Sequence, residues 1–597
     1  MRRKVFMLIP AFQLLLSFSL VPLSLEQLHS ELAKPVQQGD LKVRNLNSGK
    51  SYSTIQEAID ATETLDGHEI FVGTGTYHEH VTVDKSLSLI GEDRATTIID
   101  GDGTGKVVHV TADDVTVGNL TIQDGTFGIW LHNAQNSRIT GNTLRQGSYG
   151  LRLYHAPNSE IMENSIREYM WFGLEVESSG NSTLKRNTLV ENKYNFGVDG
   201  SSPFDFINDI DDSNTVNGKP IHYLVNQHNI TIDSSTFQEM GYLGLVNSTN
   251  IRIRNLNAQD NVQGILLAST TDSTISNVNA KGNWNGIYVA HSTNVSVSMN
   301  EANMNFDYGI KFFNSSSSTA RDNNVDNNGW AGIGLFKSPN SAIEGNEANF
   351  NTYDLHLVFT NNSVIARNSA LVKPGACYSI AVYYSHNNLI YHNTFDNRLL
   401  YVESRNWKPF TPRNSWDNGI EGNYWSAYRC IDADFDGIGD TPYTVGQNNT
   451  DNHPLMGRLS EFHAAFAGED YGVSIISNLT IFQFHFSPDD GGISFTAAGE
   501  NEAMGFSRIA IPNELHQQLP SSNLTFLING EQPALERKWT DETSTYFYLS
   551  YGSGAPDLAI HPWLIIAVTV TLVSLMTFVV VVSISRKKRD ILDRSLF

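Results

Sequence analysis

Apolar and polar residues alternate with period two in short runs through most of the chain, as in Ser137-Arg138-Ile139 and Asn388-Leu389-Ile390. Period two signals strands. A helix would repeat near 3.6 and would favour Ala, Leu and Glu where this chain has Asn and Gly. The runs themselves recur. A residue, a Gly and an aliphatic residue return at Phe127-Gly128-Ile129, Tyr149-Gly150-Leu151, Phe172-Gly173-Leu174 and Phe196-Gly197-Val198. The series resumes from Leu243-Gly244-Leu245 to Ala331-Gly332-Ile333, and the steps within each series are 20 to 24 residues. Asn142-Thr143-Leu144, Asn164-Ser165-Ile166 and Asn187-Thr188-Leu189 mark the half period.

This spacing predicts a parallel β-helix over 45–456, with an insertion near 200–227. Each coil of about 22 residues carries about three short strands, stacked at the ~4.8 Å strand spacing. Gly and Asn supply the turns, and repeated Asn can stack as amide ladders. Ser53–Ala61 reads as a short helix with Thr54 and Glu57 at capping-box spacing, placed to cover the open end of the stack. Strands are expected at Glu69–Val72, His80–Val83 and Ser86–Ile90. Residues 457–560 lose the period. Ile475–Phe486, Gly492–Ala498, Ser507–Ile511, Asn523–Ile528 and Thr545–Tyr551 read as strands of a small antiparallel β-sandwich.

The ends suggest a compartment. A basic start and an apolar stretch make residues 1–27 a signal peptide or N-terminal anchor. The uncharged run Pro562–Ser585, 24 residues long, can span a bilayer as one C-terminal transmembrane helix. The basic 586–597 segment would stay cytoplasmic. Ten Asn-x-Ser/Thr triplets agree with an exterior location. Of 597 residues, 40 are Lys or Arg and 63 Asp or Glu, giving a net charge of −23, which argues against nucleic-acid binding. Only Cys377 and Cys430 occur, too few for a disulfide scaffold or a four-cysteine metal site. A bond between them is permitted but not deducible.

Two groups of residues invite chemistry. Asp432, Asp434 and Asp436 precede Gly437, and Asp440 follows, a spacing that lets carboxylates surround one calcium ion in a structural role. Tyr443 stands where an EF-hand would have Glu. In each coil the aliphatic residue after Gly is expected inside and the next one outside. That stacks Trp130, Arg152, Glu175, Asp199, Val246, Leu266, Tyr288, Lys311, Gly334 and His356 in one file. His132, Tyr154 and Glu177 begin the next. Trp130, Tyr154, Tyr288 and Lys311 are candidate carbohydrate-binding groups. Glu175 and Asp199 with Arg152 are candidate catalytic groups, since paired carboxylates about 5 Å apart suit sugar chemistry. Outward ladders of opposite charge also stabilise sheets without further function.

The run Ser53-Thr-Ile-Gln-Glu-Ala-Ile-Asp60, then Ile70-Phe-Val-Gly-Thr-Gly-Thr-Tyr77, Leu87-Ser-Leu-Ile-Gly91 and Ile98-Ile-Asp100-Gly101, resembles the opening of right-handed β-helix proteins of pectin-lyase-like fold. The segment from Asn208 to Tyr223, and Gly422-Asn423-Tyr424-Trp425-Ser426, are similar to NosD-type periplasmic copper-binding chains and archaeal membrane-anchored surface proteins. The resemblance covers about 45–456 and implies the fold. Copper, implied by the family name, finds little support: copper prefers His, Cys and Met, and beyond His78-Glu79-His80 no third soft ligand is evident. The sequence therefore points to a cell-surface protein that binds extracellular or cell-wall glycans or acts as an adhesion or envelope module. The alternatives are a polysaccharide lyase or glycoside hydrolase, and an accessory to metalloenzyme maturation.

Overall fold

The computed structural model describes residues 42–372, 378–396, 400–402, 413–446, 448–489, 492–499, 504–519 and 524–552. It is an all-β right-handed solenoid of about 15 turns, followed by two further sheets. Three walls of parallel strands enclose a core of Val, Ile and Leu. One coil shows the plan. Arg138–Thr140 forms the first wall, and Thr143–Tyr154 bends to supply the second and third. Leu144, Leu151 and Leu153 point inward at no more than 1% exposure. Buried amides hold the corners at fixed height. Asn142 Nδ2 donates to Val117 O (3.0 Å) and to Asn164 Oδ1 (3.1 Å), and the same pattern runs on through Asn187 to Asn214.

The open N-terminal end is closed by the helix Ile55–Asp60, whose Ile55, Ala58 and Ile59 are fully buried. Thr54 Oγ1 accepts from Glu57 N–H at 3.1 Å. Glu79 accepts the next two free amides, Ile55 N–H and Gln56 N–H, both at 3.0 Å.

The solenoid is not one straight stack. At Asn217-Gly218 both residues adopt positive φ (49° and 79°), and the chain reverses, pairing Thr215 with Pro220 and Val216 with Lys219 antiparallel. Gly218 is needed there because a side chain strains that backbone. Lys219–Val225 thus starts a second stack instead of lying on Tyr194–Asp199. In this second stack the outward residues Val246, Leu266, Ala268, Tyr288 and Ala290 are at most 2% exposed. They share one apolar cluster with Phe196 and Val198 of the first stack, whereas their inward neighbours Leu245, Leu267 and Val289 belong to a second cluster. Phe196 meets Tyr242 edge-on at 4.9 Å. The side wall of the second stack therefore caps the exposed end of the first, as a solenoid end requires.

At the far end Trp416 and Trp425 are fully buried and donate to Asn449 Oδ1 (3.0 Å) and Asp451 Oδ2 (2.8 Å). Beyond it, a five-stranded sheet (Arg458–Phe466, Glu469–Ser477, Gly505–Pro512, Ser544–Tyr551, Ala534–Thr540) and a three-stranded one (Thr480–Ser487, Gly492–Ala498, Phe526–Ile528) share one apolar cluster. The strand expected over Ile475–Phe486 is split, because Asn478 turns aside to accept Phe506 N–H at 2.9 Å. Among the described residues no helix is long and apolar enough to cross a membrane. The runs at 1–27 and Pro562–Ser585, and Cys377, lie outside the described residues.

Candidate functional site

The third wall carries the residues singled out above, with one change of register. Trp130 pairs with Arg152 and Arg152 with Glu175, as expected. Glu175, however, lies beside Gly197, and Asp199 lies beside Glu177. The Gly triplets do not align in that coil. Tyr194 follows Phe172 to continue the ring series Tyr149–Phe172–Tyr194 (5.5 and 5.8 Å), and Asn195 Nδ2 reaches Asp260 O at 3.0 Å. The neighbouring carboxylates are thus Glu177 and Asp199, not Glu175 and Asp199.

The first coils present rings and cations. Trp130 stacks on Phe127 and His132, both at 5.0 Å, and Lys106 Nζ sits 3.9 Å over its ring. His109 lies 5.4 Å from Trp130, and burial pushes its imidazole down to about 4, so it is neutral at pH 7. Trp130 Nε1 is buried without a partner among the described residues. Lys106 and His109 escaped the sequence pattern because their coil lacks the Gly mark. Only the alternation of Lys106–Val110 could have placed His109 on this face.

Arg152 sits between two acids. Its Nε is 3.0 Å from Glu175 Oε2, at ion-pair distance without hydrogen-bond alignment, and its Nη2 donates to Glu177 Oε2. Its guanidinium lies 5.4 Å from the Tyr154 ring. Glu175 is 8% exposed. Burial pushes its carboxyl up to about 7, with Glu177 and Asp199 raising it further and Arg152 pulling against them. Glu175 can therefore hold or release a proton near neutrality.

The file does not run on from Asp199 to Val246 and Leu266, which are spent capping the first stack. Instead the corner between the stacks joins Asp199 to Tyr288 and Lys311. Tyr288 Oη donates to Asp199 Oδ1 at 3.2 Å, and Lys311 Nζ lies 5.0 Å from the Tyr288 ring and 5.3 Å from that of Tyr308. Burial raises the Asp199 carboxyl, and Lys311 pulls it down. Tyr288, expected as an open platform for a ring, is 2% exposed, so only its hydroxyl takes part. Past Lys311, Gly334 leaves room for Tyr308 and Phe336. A Cβ there would meet the Tyr308 ring at 2.7 Å. Tyr308 Oη lies 3.3 Å from His356 Nδ1, and His356 stacks on Tyr353 at 4.8 Å. One polar and aromatic strip thus crosses the inside corner from Trp130 to His356.

The carboxylates of Asp432, Asp434 and Asp436 converge within 4.8 Å of one another. Asp440 does not join them; its Oδ2 accepts Ala433 N–H at 2.9 Å. Asp434 also pairs with Arg537 at 3.0 Å, and burial raises Asp432 and Asp436. Among the described residues, His78, Asp100 and Asp102 form a second converging set, with His78 Nδ1 2.8 Å from Asp102 Oδ1.

The fold is a β-solenoid that carries its candidate residues as a strip along one outer wall and onto the second stack. The chain belongs to the NosD family: the family model, described as periplasmic copper-binding protein (NosD), matches residues 94–215 and 207–430. A cell surface glycoprotein of Methanothermus fervidus is 37% identical over 105 residues, which are 17% of this chain and 17% of that relative. Among solved structures, the Azotobacter vinelandii mannuronan C-5 epimerase AlgE4 A-module is 15% identical with a TM-score of 0.24, covering 56% of this chain and 89% of that one. The periplasmic alginate epimerase AlgG is 11% identical with a TM-score of 0.23, covering 69% and 93%. Likenesses at that level say nothing of this chain's chemistry. Nor do the converging ligands suit copper. One set offers a single imidazole and the other none, an oxygen-rich donor chemistry that suits hard cations.

Proposed function

We propose that this chain is a cell-surface solenoid that binds a linear carbohydrate polymer along the strip from Trp130 to His356. The observation that carries the reading is the convergence of Asp199, Tyr288 and Lys311, which makes one strip out of two stacks. The partly open rings of Trp130, His132 and Tyr154 beside fixed charges suit sugars, whose CH faces pack on aromatic carbon while their hydroxyls bond polar groups. The family description and the name of the archaeal relative support an exterior location, and Pro562–Ser585 would be the anchor.

Affinity electrophoresis through gels containing envelope polysaccharides tests this. Trp130→Ala combined with Tyr154→Ala is expected to weaken retardation about tenfold, or roughly 1.4 kcal/mol. Unretarded wild-type protein on every polymer would overturn the reading.

Glu175, titrating near neutrality beside Arg152, favours a second reading in which the strip also acts on its polymer. Arg152 would neutralise a uronate carboxylate while Glu175 takes the adjacent proton; the electron pair left on that carbon forms the double bond as the glycosidic C–O bond breaks, and the departing oxygen takes a proton from water. Ultraviolet-absorbing unsaturated products from uronate polymers, lost in Glu175→Gln, would bear it out; their absence in wild type removes it.

Calcium at Asp432, Asp434 and Asp436 is a further part of the proposal, as a structural tie. Chelation is expected to lower the melting temperature of the wild type, and Asp434→Ala to abolish the response. Equal melting with and without chelator would sink it.

A further inference from the structure

Each coil turns from its third wall to the next first wall through one short corner, such as 247–251. Nine of the Asn-x-Ser/Thr triplets lie among the described residues, and six of them fall on this corner: Asn181, Asn229, Asn247, Asn294, Asn314 and Asn361. Part of the clustering comes from the fold. The corner needs positive φ, which Asn tolerates (Asn181 58°, Asn229 57°, Asn247 49°, Asn294 55°). The fold does not demand the hydroxyl two residues on. Asn136, Asn158, Asn250 and Asn340 make the same kind of turn (57°, 60°, 53° and 58°) and are followed there by Arg138, Glu160, Arg252 and Ala342.

Four of the six are open to solvent: Asn181, Asn229, Asn247 and Asn294. Their amides lie on the surface of the corner, bonded only sideways to the neighbouring coil. Asn181 Nδ2 donates to Asn158 Oδ1 (2.8 Å), Asn247 Nδ2 to Asn226 Oδ1 (2.6 Å) and Asn294 Nδ2 to Asp272 Oδ1 (2.7 Å), while Asn229 Oδ1 accepts from Asn250 (2.6 Å). Each Nδ2 has a second N–H, so one can be replaced without losing the bond. The partner hydroxyls Thr183, Thr231, Thr249 and Ser296 are likewise not buried. Asn361 differs. Its Oδ1 accepts His386 N–H at 2.7 Å, and its partner Ser363 is 1% exposed.

We propose that Asn181, Asn229, Asn247 and Asn294 are N-glycosylated, forming a ridge of oligosaccharide along one corner of the solenoid. In the transfer, Asn Nδ2 bonds to the anomeric carbon of an oligosaccharide activated as a lipid-linked phosphate ester. The bond from that carbon to the phosphate oxygen breaks, the lipid phosphate leaves with the electron pair, and one amide proton passes to a base of the transferase. The ridge occupies the corner that follows the strip-bearing wall. It denies that edge to protein partners and leaves the strip itself bare, since none of the four acceptors lies on it.

Intact glycopeptide mass spectrometry on the full chain, isolated from the cell that makes it, tests the assignment. Site-localised fragment spectra are expected to place hexose- or hexosamine-containing mass on these four residues and none on Asn136, Asn158, Asn250 and Asn340. Thr249→Ala, which keeps Asn247 and its turn, is expected to remove the added mass at that position alone. Unmodified peptides at all four positions, or unchanged mass at Asn247 in Thr249→Ala, would overturn the ridge.

Discussion

At pH 8, Asp354→Asn is expected to raise the stability of the second stack by on the order of 3 kcal/mol, and at pH 4 to change it little. Asp354 ends an amide ladder that descends through Asn305, Asn328 and Asn351. Its Oδ1 accepts Asn351 N–H at 2.9 Å and Asn351 Nδ2 at 3.1 Å, while Oδ2 is buried without a partner among the described residues. Burial pushes the carboxyl up to about 9 against those two bonds, and the charges of Asp326 and Asp396 add to the rise. The unfolded carboxyl releases its proton near 3.9. Between these values the folded chain holds a proton that the unfolded chain has lost, so stability is fullest below about pH 4 and declines as pH rises toward 9. An amide keeps the Oδ1 acceptor and never ionises, so the variant loses that slope. Thermal melts of both chains at pH 4, 6 and 8 check this. Parallel curves with a constant offset would show that Asp354 is not held protonated.

The ladder also shows what the sequence could and could not disclose. The recurring Asn and Gly positions were enough to find the winding, because a coil of fixed length must place its turns at fixed intervals. Ser53–Ala61 disclosed its cap for the same kind of local reason. The bend at Asn217-Gly218 was visible only as a gap between two series. Asn-Gly names a tight turn, yet where the following strand lands depends on the exposed end of the first core needing a cover. Residues such as Val246 and Leu266 therefore look outward by alternation and are buried by the partner stack. Asp199 was legible as a surface acid, but its neighbours Tyr288 and Lys311 come from coils remote in sequence. Its slip of register against Glu175 came from Tyr194 and Asn195, which outcompeted the Gly triplet for position.

Arg508→Met is expected to cost about 3–5 kcal/mol and to loosen the C-terminal sheets from the solenoid end. Arg508 belongs to the strand Gly505–Pro512, and its side chain is 4% exposed. It crosses to the solenoid, where Nη2 meets Glu421 Oε1 at 2.5 Å and Nη1 donates to Asp436 O at 3.3 Å. Glu421 Oε2 lies 2.6 Å from His392 Nε2. Burial alone would raise the Glu421 carboxyl, but the His392 bond and the Arg508 charge together hold it down at about 2. A lowered carboxyl stabilises the fold fully above its unfolded value near 4.3, and the contribution is lost as pH falls through that range toward 2. Removing Arg508 leaves a buried carboxylate with one partner, and that uncompensated charge is the main cost. Arg508→Met combined with Glu421→Met removes both charges and is expected to recover most of the loss, since an apolar pair of similar size avoids the desolvation of two ions. Because Arg508 also holds the Asp436 carbonyl and packs against Gly437, the single variant is expected to weaken the proposed melting response to calcium as well. Melting curves and limited proteolysis between the solenoid and the sheets read these effects. If the single and double variants melt together with the wild type, the sheets are held to the solenoid by contacts other than this charge cluster.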